Sequence, residues 1–329
     1  MNKKSKYLYE TMWGSADFDF PVERTNGNSL NSYSFSNAST SSEDVCSSRL
    51  IELFDICNTE LFKEKFHQSC GGSGNEIKRI ATLHSSALCA LLFFYNVTEE
   101  NPLTLTVNGK ACRFHYSRFE FKNPVIKNPS NMDVTLVGRY ADSDKAVVLF
   151  LESKFSEYME RTDKKLTISN GYLNNKYSKK IYTQDNLDIL GLTKTGTSNN
   201  DKFIISSNEH CYLEGIKQMI SHFVGVNNFI DKSSVTKDDK IESLRNSADI
   251  YLGAILFDKG IGDYEINNSV SCFESYKSKY EKLADILNDS NTPVKVIKEL
   301  FSYSMFENAD FIKESEIKRF YFGFMNLNK

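Results

Sequence analysis

The stretch "AVVLFLESKF" at residues 146–155 constrains this chain most. An unbroken apolar run rich in Val, Leu and Phe reads as a strand in the middle of a sheet. It ends in Glu152 and Lys154, an acid and a base two residues apart, where the chain has just been burying apolar side chains. Residues i and i+2 on a strand share a face. Buried charge is costly unless it is paired, hydrogen-bonded or bound to a metal. The pair is therefore either a fold detail or part of an active site.

A second strand, "MDVTLVG" at 132–138, precedes this one, and "YADSDK" lies between them as a turn centred at Asp142 and Ser143. A symmetric hairpin about that centre sets Asp133 opposite Glu152 on one face, with Cβ atoms about 4.5–5.5 Å apart. A slip of one residue would send Asp133 to the other face. Two facing carboxylates repel unless a proton or a cation sits between them. A hard divalent ion such as Mg²⁺ prefers carboxylate oxygens and keeps several waters. The ammonium of Lys154 could orient an attacking water or stabilise charge on phosphate. Asp, Glu and Lys so placed suit metal-assisted phosphodiester hydrolysis.

Around this hairpin the pattern alternates helices and strands. The stretch at 21–48 is rich in Ser and Asn and reads as a surface loop or packed extension, followed by a helical pattern up to Phe66. "CGGSGN" interrupts it, and Asn75 is placed to cap one continuous helix with Ile77, Ala81, His84, Leu88, Leu91 and Tyr95 on a single face. Strands at 103–109 and 110–121 form a hairpin at Asn108-Gly109. A short strand "FIISS" is followed by a helix at about 209–224 and a buried strand at 249–258. The tail from about 272 reads as two or three helices, one opened by Thr292-Pro293.

Asp133 followed by Glu152-Ser153-Lys154 resembles the D…E-x-K signature of the PD-(D/E)xK phosphodiesterase superfamily, which has a restriction-endonuclease-like fold. The likeness covers roughly residues 75–225. "NEIKRIATLHSSALCALLFFY" resembles the family's first core helix, the strand ending "RFEFK" its first strand, and "YLEGIKQMISHF" the helix after the E-x-K strand. That helix often carries a supporting Gln, here Gln218. Met132 stands where the family has Pro, and a polar insertion at about 159–200 separates strand from helix. The resemblance implies an α/β fold, a mixed β-sheet flanked by helices, with a helical C-terminal extension. The expected units are an N-terminal extension at 1–74, the nuclease-like core at 75–260 and the extension at 261–329. It further implies an Mg²⁺-dependent endonuclease, with Mn²⁺ as a substitute ion. Asp133 and Glu152 would bind metal, Lys154 would act on the water or the charged transition state, and Gln218 would support them. The expected partner is nucleic acid, DNA rather than RNA, for a restriction or defence enzyme, and a homodimer is compatible with it. The alternative is a non-catalytic nucleic-acid-binding or interaction protein that keeps the fold.

Composition narrows the rest. Forty basic against 43 acidic residues give a net charge of −3, so contact with nucleic acid must come from a local patch. Seven scattered cysteines without a C-x-x-C pair argue against a disulfide framework and a zinc finger. No run approaches the ~20 apolar residues of a membrane span, and "MNKKSKYLYETMWGSADFDF" lacks the apolar stretch of a secretory signal. The expectation is a soluble, cytoplasmic protein.

Four further candidates have plainer readings beside them. Glu120 is either a third acid or a strand charge paired with Lys122. Glu76 fits a helix first turn, where an acid complements the dipole. His84 lies on an apolar stripe, as core histidines do. Residues 161–182 carry six basic residues and one acid, interleaved with Tyr172, Tyr177 and Tyr182. That mixture suits a phosphate backbone and its bases, and it equally suits a solvated loop.

Overall fold

The computed structural model describes residues 20–25, 32–38, 42–71, 77, 79–126, 128–155, 157, 165–198, 202–209, 211–232, 234–257 and 272–323. Asn75, Glu76 and Lys164 lie outside them.

The chain opens with an antiparallel pair, β1 (Val22–Thr25) and β2 (Ser32–Phe35). The expected first helical stretch is two helices, α1 (Glu43–Phe54) and α2 (Thr59–Ser69). Asp55 ends α1 in the left-handed conformation, and the Asn58 side chain caps α2 by accepting from the Leu61 N–H. The continuous helix expected up to Tyr95 is also interrupted. Residues 81–85 form a turn in which Thr82 bridges to Ser34, and Ser85 then caps a new helix, α3 (Ser86–Phe94). Ile77, Ala81, Leu88 and Leu91 are buried on either side of the break, so their spacing reports burial and not helix continuity.

Four strands follow in an antiparallel meander: β3 (Leu103–Val107), β4 (Lys110–Asn123), β5 (Ser130–Tyr140) and β6 (Ala146–Lys154). Asn108 and Gly109 both take positive φ, 47° and 76°, as the tight β3–β4 turn requires. The polar insertion contains β7 (Lys165–Ser169), α4 (Gly171–Asn174), α5 (Gln184–Ile189) and β8 (Leu192–Ser198). The "FIISS" strand, β9 (Lys202–Ser207), pairs with β7 and β8 in a separate three-stranded sheet. Leu166, Ile168, Leu192, Phe203 and Ile205 are buried apolar residues of this sheet.

The chain returns through α6 (Leu213–Asp231) and the short α7 (Asp239–Glu242) to β10 (Asp249–Leu256). The tail holds α8 (Cys272–Asn288), β11 (Val294–Val296), β12 (Phe301–Ser302) and α9 (Ser315–Phe322). Thr292-Pro293 therefore leads into a strand and not a helix. The Asn288 side chain holds Val296 there, accepting from its N–H and donating to its carbonyl, both at 2.8 Å. The C-terminal region thus adds strands as well as helices.

The central sheet runs β11-β10-β6-β5-β4-β3, with β12 also beside β10. β10 is parallel to β6, and β11 and β12 are parallel to β10, so the sheet is mixed and the class α/β. As its composition implied, β6 lies inside the sheet and is buried from Val147 to Lys154. α3 contacts β5 and β6, while α6 contacts β4, β5 and β10. Among the described residues, no helix is long and apolar enough to cross a membrane.

Candidate functional site

The β5–β6 register pairs Val134 with Leu151 and Arg139 with Ala146. Continued by one step, it sets Asp133 level with Glu152, as the symmetric hairpin required. The ladder ends there, and the Asp133 side chain takes over: its Oδ2 accepts the Ser153 N–H at 2.7 Å. Ser153, the middle residue of the E-S-K run, is held at its hydroxyl. It donates to the Ser86 carbonyl at 3.2 Å and lies 2.7 Å from the Tyr303 hydroxyl.

Glu152 lies between two nitrogen partners. Its Oε1 is 2.5 Å from Lys154 Nζ, and its Oε2 is 2.7 Å from His222 Nε2 on α6. The imidazole approach is short but off the direction of a straight N–H hydrogen bond. Glu152, Lys154 and His222 are only 2%, 5% and 4% exposed.

Burial alone would push the Glu152 carboxyl up, but Lys154 and His222 outweigh it and pull it down to about 2. Lys154 shows the converse. Burial works against its charge, yet Glu152, with Tyr212, Glu157 and Asp133, holds its pKa well above the usual lysine range. Asp133 keeps some exposed surface, but its carboxyl is packed closely enough to be pushed well above the usual carboxylate range. Burial leads, Glu152 and Glu120 add to it, and Lys154 and the Ser153 N–H oppose it. The two acids are thus driven apart, Glu152 towards the ionised form and Asp133 towards the protonated one. Such a split assigns different roles to neighbouring carboxyls.

No protein-family model matches this chain, and no curated protein or solved structure matches it either.

Glu120 lies at the same level on β4, between the pairs Phe119–Val134 and Phe121–Met132. Its φ of 49° is unusual for a non-glycine residue inside a strand, and strain of that kind concentrates at functional sites. Its side chain faces Gly71 and a cavity of about 410 Å³ that Arg118 and Lys122 also line. Among the described residues no three His, Cys, Asp or Glu side chains gather closely enough to hold a metal ion. An ion here would have at most the two carboxyls of Asp133 and Glu152 as side-chain donors, a number that Mg²⁺, which keeps several waters, can accept. Both Glu152 oxygens already face nitrogens, so an ion there must displace one of them.

Gln218 does not bond the carboxylates. Its Oε1 accepts from the Tyr212 hydroxyl at 3.4 Å, so its link to the site runs through the ring beside Lys154. The residue one helical turn on, His222, makes the direct contact. It shares the face of Gln218 in the sequence, and that i, i+4 spacing was the available signal. The approach of α6 to the sheet depends on Gly225, where a Cβ would come within 2.6 Å of Ser130 Oγ on β5 and 3.1 Å of Asn123 Cβ on β4.

In the basic run, the aromatics expected to stack on bases mostly serve the fold. Tyr172 donates to Ser221 and Tyr177 to Asp231, both on α6, while Tyr182 is buried against Phe203. Lys176 pairs with Asp231 at 2.5 Å. Lys165, Lys179 and Lys180 remain exposed. His84 is half-buried in the turn before α3 and is not on a helical stripe.

Proposed function

We propose that this chain is a metal-dependent nuclease with a restriction-endonuclease-like core, cleaving DNA rather than RNA in a restriction or defence role. The observation that carries the reading is the strand register, which brings Asp133 level with Glu152 and sets Lys154 against it. The order α3, β4, β5, β6, α6 supports it, being the helix and strand order the resemblance implies.

In this reading Asp133 and Glu152 would hold Mg²⁺ or Mn²⁺, which when bound would supply Lewis-acid activation of water and charge neutralisation at the phosphate. Glu152 keeps Lys154 an ammonium, so that side chain acts as a positive charge towards the phosphate or as an orienter of water. It is not the general base. His222 positions Glu152, and Gln218 positions Tyr212. Because Glu152 and Lys154 are buried, access requires their cover to move aside.

That burial also favours a second reading, a non-catalytic nucleic-acid-binding protein in which Lys154 and His222 only neutralise Glu152. Incubation with supercoiled, linear and single-stranded DNA and with RNA, each with Mg²⁺ or Mn²⁺, separates the two. The nuclease reading expects metal-dependent DNA cleavage that Glu152→Gln abolishes. DNA binding without cleavage under every condition would favour the second reading, and neither binding nor cleavage would remove both.

A further inference from the structure

At the end of β5 away from Asp133, the register sets Arg113 of β4 directly opposite Arg139. Like charges directly opposed on neighbouring strands repel and destabilise the pair. The same row continues to Thr104 on β3 and Ala146 on β6, short side chains that leave room beside the guanidinium groups. Just beyond, the ladder shifts between Phe114 and Tyr116, leaving His115 as the extra residue. Such bulges re-aim a side chain and are frequent at functional sites. Arg113, His115 and Arg139 together line a cavity of about 490 Å³.

Two acids also line the cavity: Asp144 lies 3.5 Å from Arg139 and Glu99 3.5 Å from His115, and both side chains are solvent-exposed, so an incoming anion can displace them at little cost. Among the described residues the Arg113 side chain has no hydrogen bond or ion pair, and it lines the cavity. Burial lowers the His115 pKa, and Arg139, Lys240 and Arg113 add to that effect against Glu99.

The geometry points to a phosphate-binding site in this cavity, with Arg113 and Arg139 gripping the oxygens of one phosphate group and His115 at its side. A guanidinium offers a planar fork of donors that matches phosphate oxygens, and it does so better than a lysine. An anion between the two forks replaces their repulsion with two attractions. The cavity, at about 490 Å³, is larger than one phosphate and leaves room for the rest of a nucleotide or a polynucleotide backbone. Six residues of strand, about 20 Å, separate Arg139 from Asp133. The two sites share no residue, and this inference does not rest on the nuclease reading.

The test titrates inorganic phosphate into the full chain in phosphate-free buffer at constant ionic strength, followed by calorimetry and melting temperature. Phosphate should bind and raise the melting temperature. Arg113→Gln and Arg139→Gln should each weaken binding about tenfold or more, as expected for loss of charge-assisted hydrogen bonds. Without phosphate both variants should melt at or above the parent, because the repulsion is gone. Adenosine monophosphate and a short DNA oligonucleotide, used as competitors, assign the source of the phosphate. Displacement by the mononucleotide marks a nucleotide site, and displacement by far less oligonucleotide marks a backbone site. No response of the parent to phosphate, or an undiminished response in both variants, overturns the proposal.

Discussion

His222 Nε2 stands 2.7 Å from Oε2 of Glu152, tying the middle of α6 to the strand at the centre of the sheet. With Lys154 Nζ at 2.5 Å on the other oxygen, the carboxylate is held from two sides inside the protein. A buried ionic cluster is weak evidence for stability, because desolvation offsets much of the attraction. Removing one member is another matter, since the rest are left uncompensated.

Lys154→Met should therefore destabilise the chain by roughly 3–5 kcal/mol, the cost of breaking a fully buried pair. Lys176→Met, at an exposed pair with Asp231, should leave the urea unfolding curve almost unchanged. If Lys154→Met unfolds like the parent, the cluster contributes little to the fold and the lysine is kept for its charge towards a ligand. A large loss in a protein that never cleaves nucleic acid would favour the structural reading.

Asp133→Asn should stabilise the protein at neutral pH in the absence of divalent ions. The carboxyl is raised well above its ordinary 3.8, so the folded state binds more protons than the unfolded state above that pH. Its contribution is fully present below about 3.8 and is lost as pH rises through the folded pKa. Glu152 has the opposite sign. Held at about 2 against an ordinary 4.5, it contributes stability above 4.5 that disappears as pH falls towards 2. Urea unfolding at several pH values should show a flatter neutral limb for Asp133→Asn and a flatter acid limb for Glu152→Gln. Parallel curves for all three proteins would mean neither carboxyl is perturbed.

The hairpin of β5 and β6 was legible because a short turn fixes the register of the strands beside it, and the apolar run marked β6 as interior. The insertion was not. Its strands are short, and β7 pairs with β9 across more than thirty intervening residues, so no local pattern announces a sheet. The break before α3 was hidden because Ala81 and Leu88 stay buried in either backbone path. Thr292-Pro293 carries a helix-start signal, but Asn288 offers Val296 a strand-like partner, and that contact is tertiary. The His222 contact required the rotation and depth of α6, which depend on how closely Gly225 lets the helix approach Ser130 and Asn123 of the sheet, again a tertiary contact.

Binding of Mg²⁺ or Mn²⁺ should release a proton. Asp133 must be ionised to bind a cation, and a divalent charge beside it would oppose the surroundings that favour its protonated form. Calorimetric titration in two buffers of different ionisation enthalpy should give different apparent heats, with affinity rising as pH rises. Asp133→Asn should bind the ion more weakly and without proton release. A heat independent of buffer in the parent would show that the ion binds elsewhere or that Asp133 is already ionised.

The basic segment at 161–182 gives the last prediction. Its tyrosines are committed to α6 and to the small sheet, so what it can offer a nucleic acid is charge. Lys165, Lys179 and Lys180 are exposed, whereas Lys176 is paired with Asp231. Each lysine that contacts a phosphate releases counterions, so affinity falls as salt rises, with a slope set by the number of contacts. Replacing these three with Ala should flatten the salt slope for duplex DNA by up to ~3 units if each meets one phosphate. The melting temperature should scarcely move, because exposed charges contribute little to folding. Fluorescence anisotropy with labelled DNA and RNA over a range of salt concentrations reads the slope. An unchanged slope in the triple variant would mean that the insertion is a solvated appendage of α6 and that nucleic acid approaches by another surface.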